Sequence, residues 1–154
     1  MPFDIGHLGD SGRGARRLLA LAAYLETVAD GAYDQRAWRR RAPDGSWTMC
    51  ALGHGATALP DLIGLRWRSE EGAELVRLDG SGVTEDPITL AAEAFEISFA
   101  EAMALFGVGV HTTRLLGARR PADVRPKAIA AALRAVALAK LPADPEPAVL
   151  EAAI

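Results

Sequence analysis

Trp47-Thr48-Met49-Cys50-Ala51-Leu52-Gly53-His54-Gly55-Ala56 is the stretch on which the reading of this chain turns. It holds the single cysteine of the sequence, one of three histidines and one of three tryptophans. Asp44-Gly45 upstream reads as a turn, and the apolar run after it predicts a helix that starts near Ser46 or Thr48, either of which can cap it. Cys50 then falls in the first helical turn, where the positive end of the helix dipole favours a thiolate. His54 lies four residues on, on the same face. Cysteine and histidine at this spacing suit a nucleophile with its base, or two metal ligands. The plainer reading is a packed thiol, because a free cysteine usually behaves as a small buried hydrophobe. Gly53 and Gly55 beside it point to a neighbour that approaches the backbone closely.

Working outward, Leu18, Leu21, Ala22, Leu25 and Val28 recur at helical spacing and predict a helix from Ser11 to about Ala29. Arg13, Arg16 and Arg17 fall in its first turns, against the dipole; the default reading is a solvated basic face, and the alternative is that they hold an anion or an acidic partner. Residues 33–41 read as a short second helix with a basic cluster, Arg36 and Arg39 to Arg41, around Trp38. That cluster is short and lies among Asp30, Asp34 and Asp44, so nucleic acid is not an expected partner.

Downstream of the Cys50 helix, Pro60-Asp61 ends the apolar run. Leu65 to Arg68 and Glu74 to Leu78 alternate and predict a β-hairpin at about 64–78. Asp86-Pro87 is a cap followed by proline at the first helical position. Ile88, Ala91, Ala92 and Phe95 then share one face. Ser98 with Glu101 matches a capping box, followed by Phe99, Ala102, Met103 and Phe106 as an expected buried stripe. A short helix is expected over 112–117. A long one should run from Pro126 to about Lys140, with Ile129, Leu133 and Val136 inward. Prolines 142, 145 and 147 form a spacer before an apolar segment, 148–154. The expected fold is mainly α (α+β): a compact helical domain over 1–141 with one small hairpin, followed by the spacer and segment of 142–154.

Three pieces together resemble small uncharacterised proteins of bacterial and phage genomes. They are Cys50 to Ala56, Gly64 to Trp67, and Ala91 to Ser98 with Glu101, Ala102 and Leu105-Phe106-Gly107. The resemblance implies that the Cys50 helix, the hairpin and the helix pair form one unit. It carries no mechanism. The Cys50 helix also resembles the nucleophile helix of papain-like peptidases, which opens near a tryptophan. The chain departs from them in that His111 follows a helix, where those enzymes place the base on a strand.

Length and composition bound the function. A chain of 154 residues, half of them apolar, is long enough for one cored domain. The single cysteine allows no internal disulfide and fits a reducing, cytoplasmic setting. No apolar run reaches the ~18 residues of a membrane span, and no signal peptide is read at the start. The net charge of −3 gives no general drive toward nucleic acid. Residues 51–110 are the acidic part, with Arg66, Arg68 and Arg77 the basic residues among ten acids.

The expected function is a non-enzymatic binding or regulatory module, with a protein partner or a second copy of the chain as ligand. The alternative is a cysteine-dependent hydrolase or transferase. Cys50 would be its nucleophile, His54 or His111 its base, and Asp61 or Glu93 the orienting acid. A metal site would be built from Cys50, His54, His111 and, as an optional fourth ligand, His7. Only the first pair is supported by spacing, so neither a stoichiometric metal nor a cofactor is expected.

Overall fold

The computed structural model describes residues 12–107 and 110–141. The fold is mainly α with α+β character: helices carry the core and two short antiparallel ladders lie beside them. Helix α1, Arg13–Leu25, buries Leu18, Leu19, Leu21, Ala22 and Leu25. Its most extensive contact is with the last helix, α7, Pro126–Lys140. Ile129, Ala130, Leu133 and Ala137 of α7 are buried, and Val136 is partly so. Arg134 grips Glu26 with both terminal nitrogens, each at 2.8 Å, and ties the end of α1 to α7.

Between these helices run β1, Arg40–Arg41, and β2, Trp47–Thr48, paired antiparallel. Helices α2, Ala51–Ala58, and α3, Pro60–Ile63, follow. Then come β3, Leu65–Trp67, and β4, Leu75–Arg77, with Arg66 opposite Val76. Next are α4, Pro87–Phe95, α5, Phe99–Phe106, and α6, Val110–Leu115. Residues from the Cys50 helix, the hairpin and the α4–α5 pair share one hydrophobic cluster with α1 and α7.

Local chemistry explains the boundaries that match expectation. Asp86 Oδ1 accepts from the Ile88 N–H at 2.7 Å, with Pro87 at the first helical position. Ser98 and Glu101 complete a reciprocal capping box at 3.0 and 2.9 Å. Phe95 and Phe106 stack at 5.1 Å across the α4–α5 pair.

Two of the first-turn arginines of α1, Arg13 and Arg17, have partners. Glu96 sits in the left-handed region at φ 55° and caps α1 from outside. Its carboxylate accepts from the Gly14 N–H at 2.9 Å and from Arg13 at 3.3 Å. Arg17 donates to the Ala94 carbonyl at 2.8 Å. A borrowed carboxylate thus supplies the negative charge that the helix start lacks. A Cβ on Gly14 would stand 2.1 Å from the Phe95 carbonyl oxygen, so this junction requires glycine.

Several expectations are corrected. Residues 33–41 are not a helix. Asp34 Oδ1 takes the Arg36 N–H at 3.0 Å, and Asp34 N–H donates to the Met49 carbonyl at 2.9 Å. Long-range backbone bonds occupy the groups that a helix would need. The Cys50 helix starts neither at Ser46 nor at Thr48. The Ser46 hydroxyl is taken by Asp44 at 2.6 Å, and Trp47–Thr48 is spent on β2, so Cys50 itself is the N-cap. Among the described residues there are therefore two ladders, not one hairpin; the expected one at 64–78 is β3–β4. Helix α1 ends at Leu25 rather than Ala29, because the Thr27 hydroxyl takes the Tyr24 carbonyl at 2.7 Å. Pro60 opens a one-turn helix rather than only ending a run. The inward stripe of α5 is Ala102, Leu105 and Phe106. It is rotated toward Leu105 from the expected one, which leaves Phe99 51% exposed. The short helix over 112–117 begins earlier, at Val110. The apolar segment 148–154 and its spacer lie outside the described residues.

Candidate functional site

Two neighbouring features meet at Tyr33. The first is the buried cluster around Cys50. As N-cap of α2 the thiol lies 1% exposed, under Tyr33 and the core face of the helix. Burial pushes its pKa up to about 11, and hydrogen bonds from the Gly53 and Leu52 N–H groups offset only part of this. The helix start therefore does not yield a thiolate, because water is excluded from it.

His54 is buried one turn on. Its Nε2–H donates to the Ala32 carbonyl at 2.9 Å, the tautomer that a carbonyl acceptor requires. Its ring stacks on Tyr33 at 6.1 Å, with 10° between planes, and meets Tyr24 at 6.3 Å. Burial holds its pKa below the usual histidine value, with the Ala32 bond opposing. The Tyr33 hydroxyl donates to Gln35 Oε1 at 2.5 Å, and Gln35 Nε2 donates to the Gly107 carbonyl at 3.0 Å. The Thr112 hydroxyl donates to that same carbonyl at 2.9 Å. This satisfied polar chain pins the 33–35 segment to the end of α5.

Of the catalytic set read from the sequence, Cys50 and His54 lie at the start and one turn into α2. Glu93 is exposed and held by Arg77 at 2.7 Å, and Asp61 is exposed on α3. His54 spends its Nε2 on a backbone carbonyl. His111 lies on α6, and His7 lies outside the described residues. Among the described residues, no three histidine, cysteine or carboxylate side chains group closely enough to hold a metal ion.

The second feature is an open cleft of about 470 Å³, lined by Gly31, Tyr33, Asp34, Arg36, Arg40 and Thr48 among others. Asp34 is its keystone. The residue is 6% exposed. Its carboxylate accepts from Arg36 Nε at 2.9 Å, Arg36 Nη2 at 3.2 Å and Arg40 Nη2 at 2.6 Å. Burial alone would raise the Asp34 pKa, but the bonds from Arg36 and the two guanidinium charges outweigh it and the net shift is downward. Both arginine side chains remain about half exposed, at 51% and 52%.

Alternation along β1 divides the basic cluster. Arg40 pairs with Thr48 and lines the cleft with it. Arg41 also lines the cleft but turns its guanidinium, like that of Arg39, to the tryptophans. The Arg39 guanidinium lies 4.4 Å from the Trp47 ring centre and 4.3 Å from that of Trp67, and Arg41 covers Trp47 at 4.2 Å. Arg39 also donates to the carbonyls of Ser69, Glu70 and Gly72, which latches the β3–β4 loop against β1–β2.

Sequence reasoning listed these arginines but missed the site. On a helix they spread around a cylinder; on an extended strand they fall on opposite faces. The available signal was Asp34 two residues before Arg36, the spacing of an Asx turn. Compared with family models, curated proteins and solved structures, the chain matches none.

Proposed function

We propose that the protein is a non-enzymatic binding module that meets a protein partner at the cleft between the Asp30–Ala32 turn and β1. One observation carries this reading. A buried carboxylate, Asp34, is wholly committed to aiming two half-exposed guanidiniums into an open cleft. Holding two long cationic side chains in place reduces the ordering cost when a ligand arrives. The cysteine-dependent alternative draws no support from a thiol that is sealed and shifted toward the protonated form. A single buried thiol also suits a reducing compartment such as the cytoplasm.

The test is to pan a random peptide library on the immobilised protein. The reading expects enriched sequences whose capture is lost in Gly31→Leu, which adds a bulky side chain to the cleft lining, and kept in Cys50→Ala. No enrichment, or enrichment indifferent to Gly31→Leu, overturns it.

A further inference from the structure

We propose that the group seated in this cleft is a carboxylate from an acidic segment of the partner, bridging the free edges of Arg36 and Arg40. The inference rests on the binding-module reading and adds the chemistry of the ligand.

The donors decide it first. Arg36 gives Asp34 its Nε and Nη2, and Arg40 gives one Nη2 bond. Arg36 Nη1, Arg40 Nε and Arg40 Nη1 have no partner among the described residues. Guanidinium edges of this kind match the two oxygens of a planar carboxylate.

Charge decides next. Arg36, Arg40 and Arg41 line the cleft with Asp30 and Asp34. Arg125, 3.9 Å from Asp30, and Glu71, 3.2 Å from Arg41, stand outside that lining and offset each other. Three cations against two carboxylates leave a surplus of one positive charge, which a single carboxylate neutralises.

A nucleic-acid strand fits less well. Stacking bases need open aromatic faces, and guanidiniums already cover Trp47 and Trp67. Asp34 is a positioning residue here: it touches the arginines, and the arginines touch the ligand.

The experiment is fluorescence anisotropy with a labelled Glu-rich peptide, run beside a Lys-rich peptide and an oligouridine strand. The Glu-rich peptide should bind, weaken with added salt and outcompete both others. Arg40→Ala should weaken it about tenfold, the loss expected of one charge-assisted fork. Gly31→Leu should weaken it comparably with every charge in place, because a Cβ at Gly31 meets nothing within 4 Å and the fold has room for it. That second variant decides the matter if Arg40→Ala fails to fold. Absence of Glu-rich binding, wild-type affinity in both variants, or tighter binding of oligouridine overturns the proposal. If library panning instead yields cleft-dependent peptides without acidic residues, the carboxylate assignment falls and the binding-module reading stands.

Discussion

At the scale of single residues, Cys50 and His54 show position and reactivity coming apart. Helix N-termini stabilise thiolates, yet Cys50 at an N-cap is pushed up to about 11 because burial outweighs the dipole. Native protein should therefore react with iodoacetamide at neutral pH far more slowly than the same chain in denaturant. Comparable rates would show an accessible thiolate. Cys50→Ala should cost on the order of 1 kcal/mol, read by urea unfolding. His54 sets a pH dependence whose sign follows from its burial. Its folded pKa lies below the ordinary 6.5, so below that pH the unfolded chain binds a proton that the folded chain refuses. Stability should be complete above about pH 6.5 and fall as pH drops toward the folded value. Asp34 acts in a separate, more acid window. Its folded pKa lies below 3.8, so its contribution is present above 3.8 and is lost as pH falls through the folded value. Thermal unfolding from about pH 8 to about pH 5 should show the first slope, and His54→Gln should flatten it. An unchanged slope in that variant would assign the acid sensitivity to other groups.

At the scale of elements, close backbone contacts and one latch hold the pieces in register. A Cβ at Gly53 would stand 2.0 Å from the Trp38 carbonyl oxygen, so α2 lies directly on the 33–41 segment. Gly53→Ala should destabilise by about 1–3 kcal/mol, the usual cost of overpacking. Gly31→Ala, with nothing within 4 Å of its new methyl, should be close to neutral. Equal losses at the two sites would contradict this packing. Arg39 joins the two ladders through its tryptophan contacts and its bonds to the 69–72 carbonyls. Arg39→Ala should release the β3–β4 loop, seen as faster amide exchange over 68–74 and a shift in tryptophan emission. Unaltered exchange there would mean that the latch contributes nothing.

At the scale of the whole molecule, α1 against α7 closes the domain, since helices far apart in sequence share the most extensive contact. Leu133 is fully buried on that seam. Leu133→Ala should cost about 2–5 kcal/mol and lower the melting of the entire helical signal together. Separate transitions for helix loss and tryptophan exposure would indicate independent parts. Such a seam is slower to form than local pairs, because the intervening chain must be closed first.

The sequence by itself determined what is local. Helix α7 and its Pro126 start, the Asp86-Pro87 cap, the Ser98–Glu101 box and the β3–β4 hairpin all rest on neighbours within a few residues. There, propensity and hydrogen-bond geometry act without help from distant parts of the chain. The sequence also put Cys50 beside the start of the helix that carries His54. Only the tertiary structure decided what that pair does. Whether a thiol ionises depends on the water around it, and the surrounding core excluded that water. The same holds for residues 32–50. Read locally, their 33–41 part looks helical. Met49 and Cys50 capture its backbone from outside, Glu96 reaches across to cap α1, and Asp34 gathers two arginines into a cleft. Those bonds join residues whose meeting depends on how the core packs, and no periodicity along the chain encodes them.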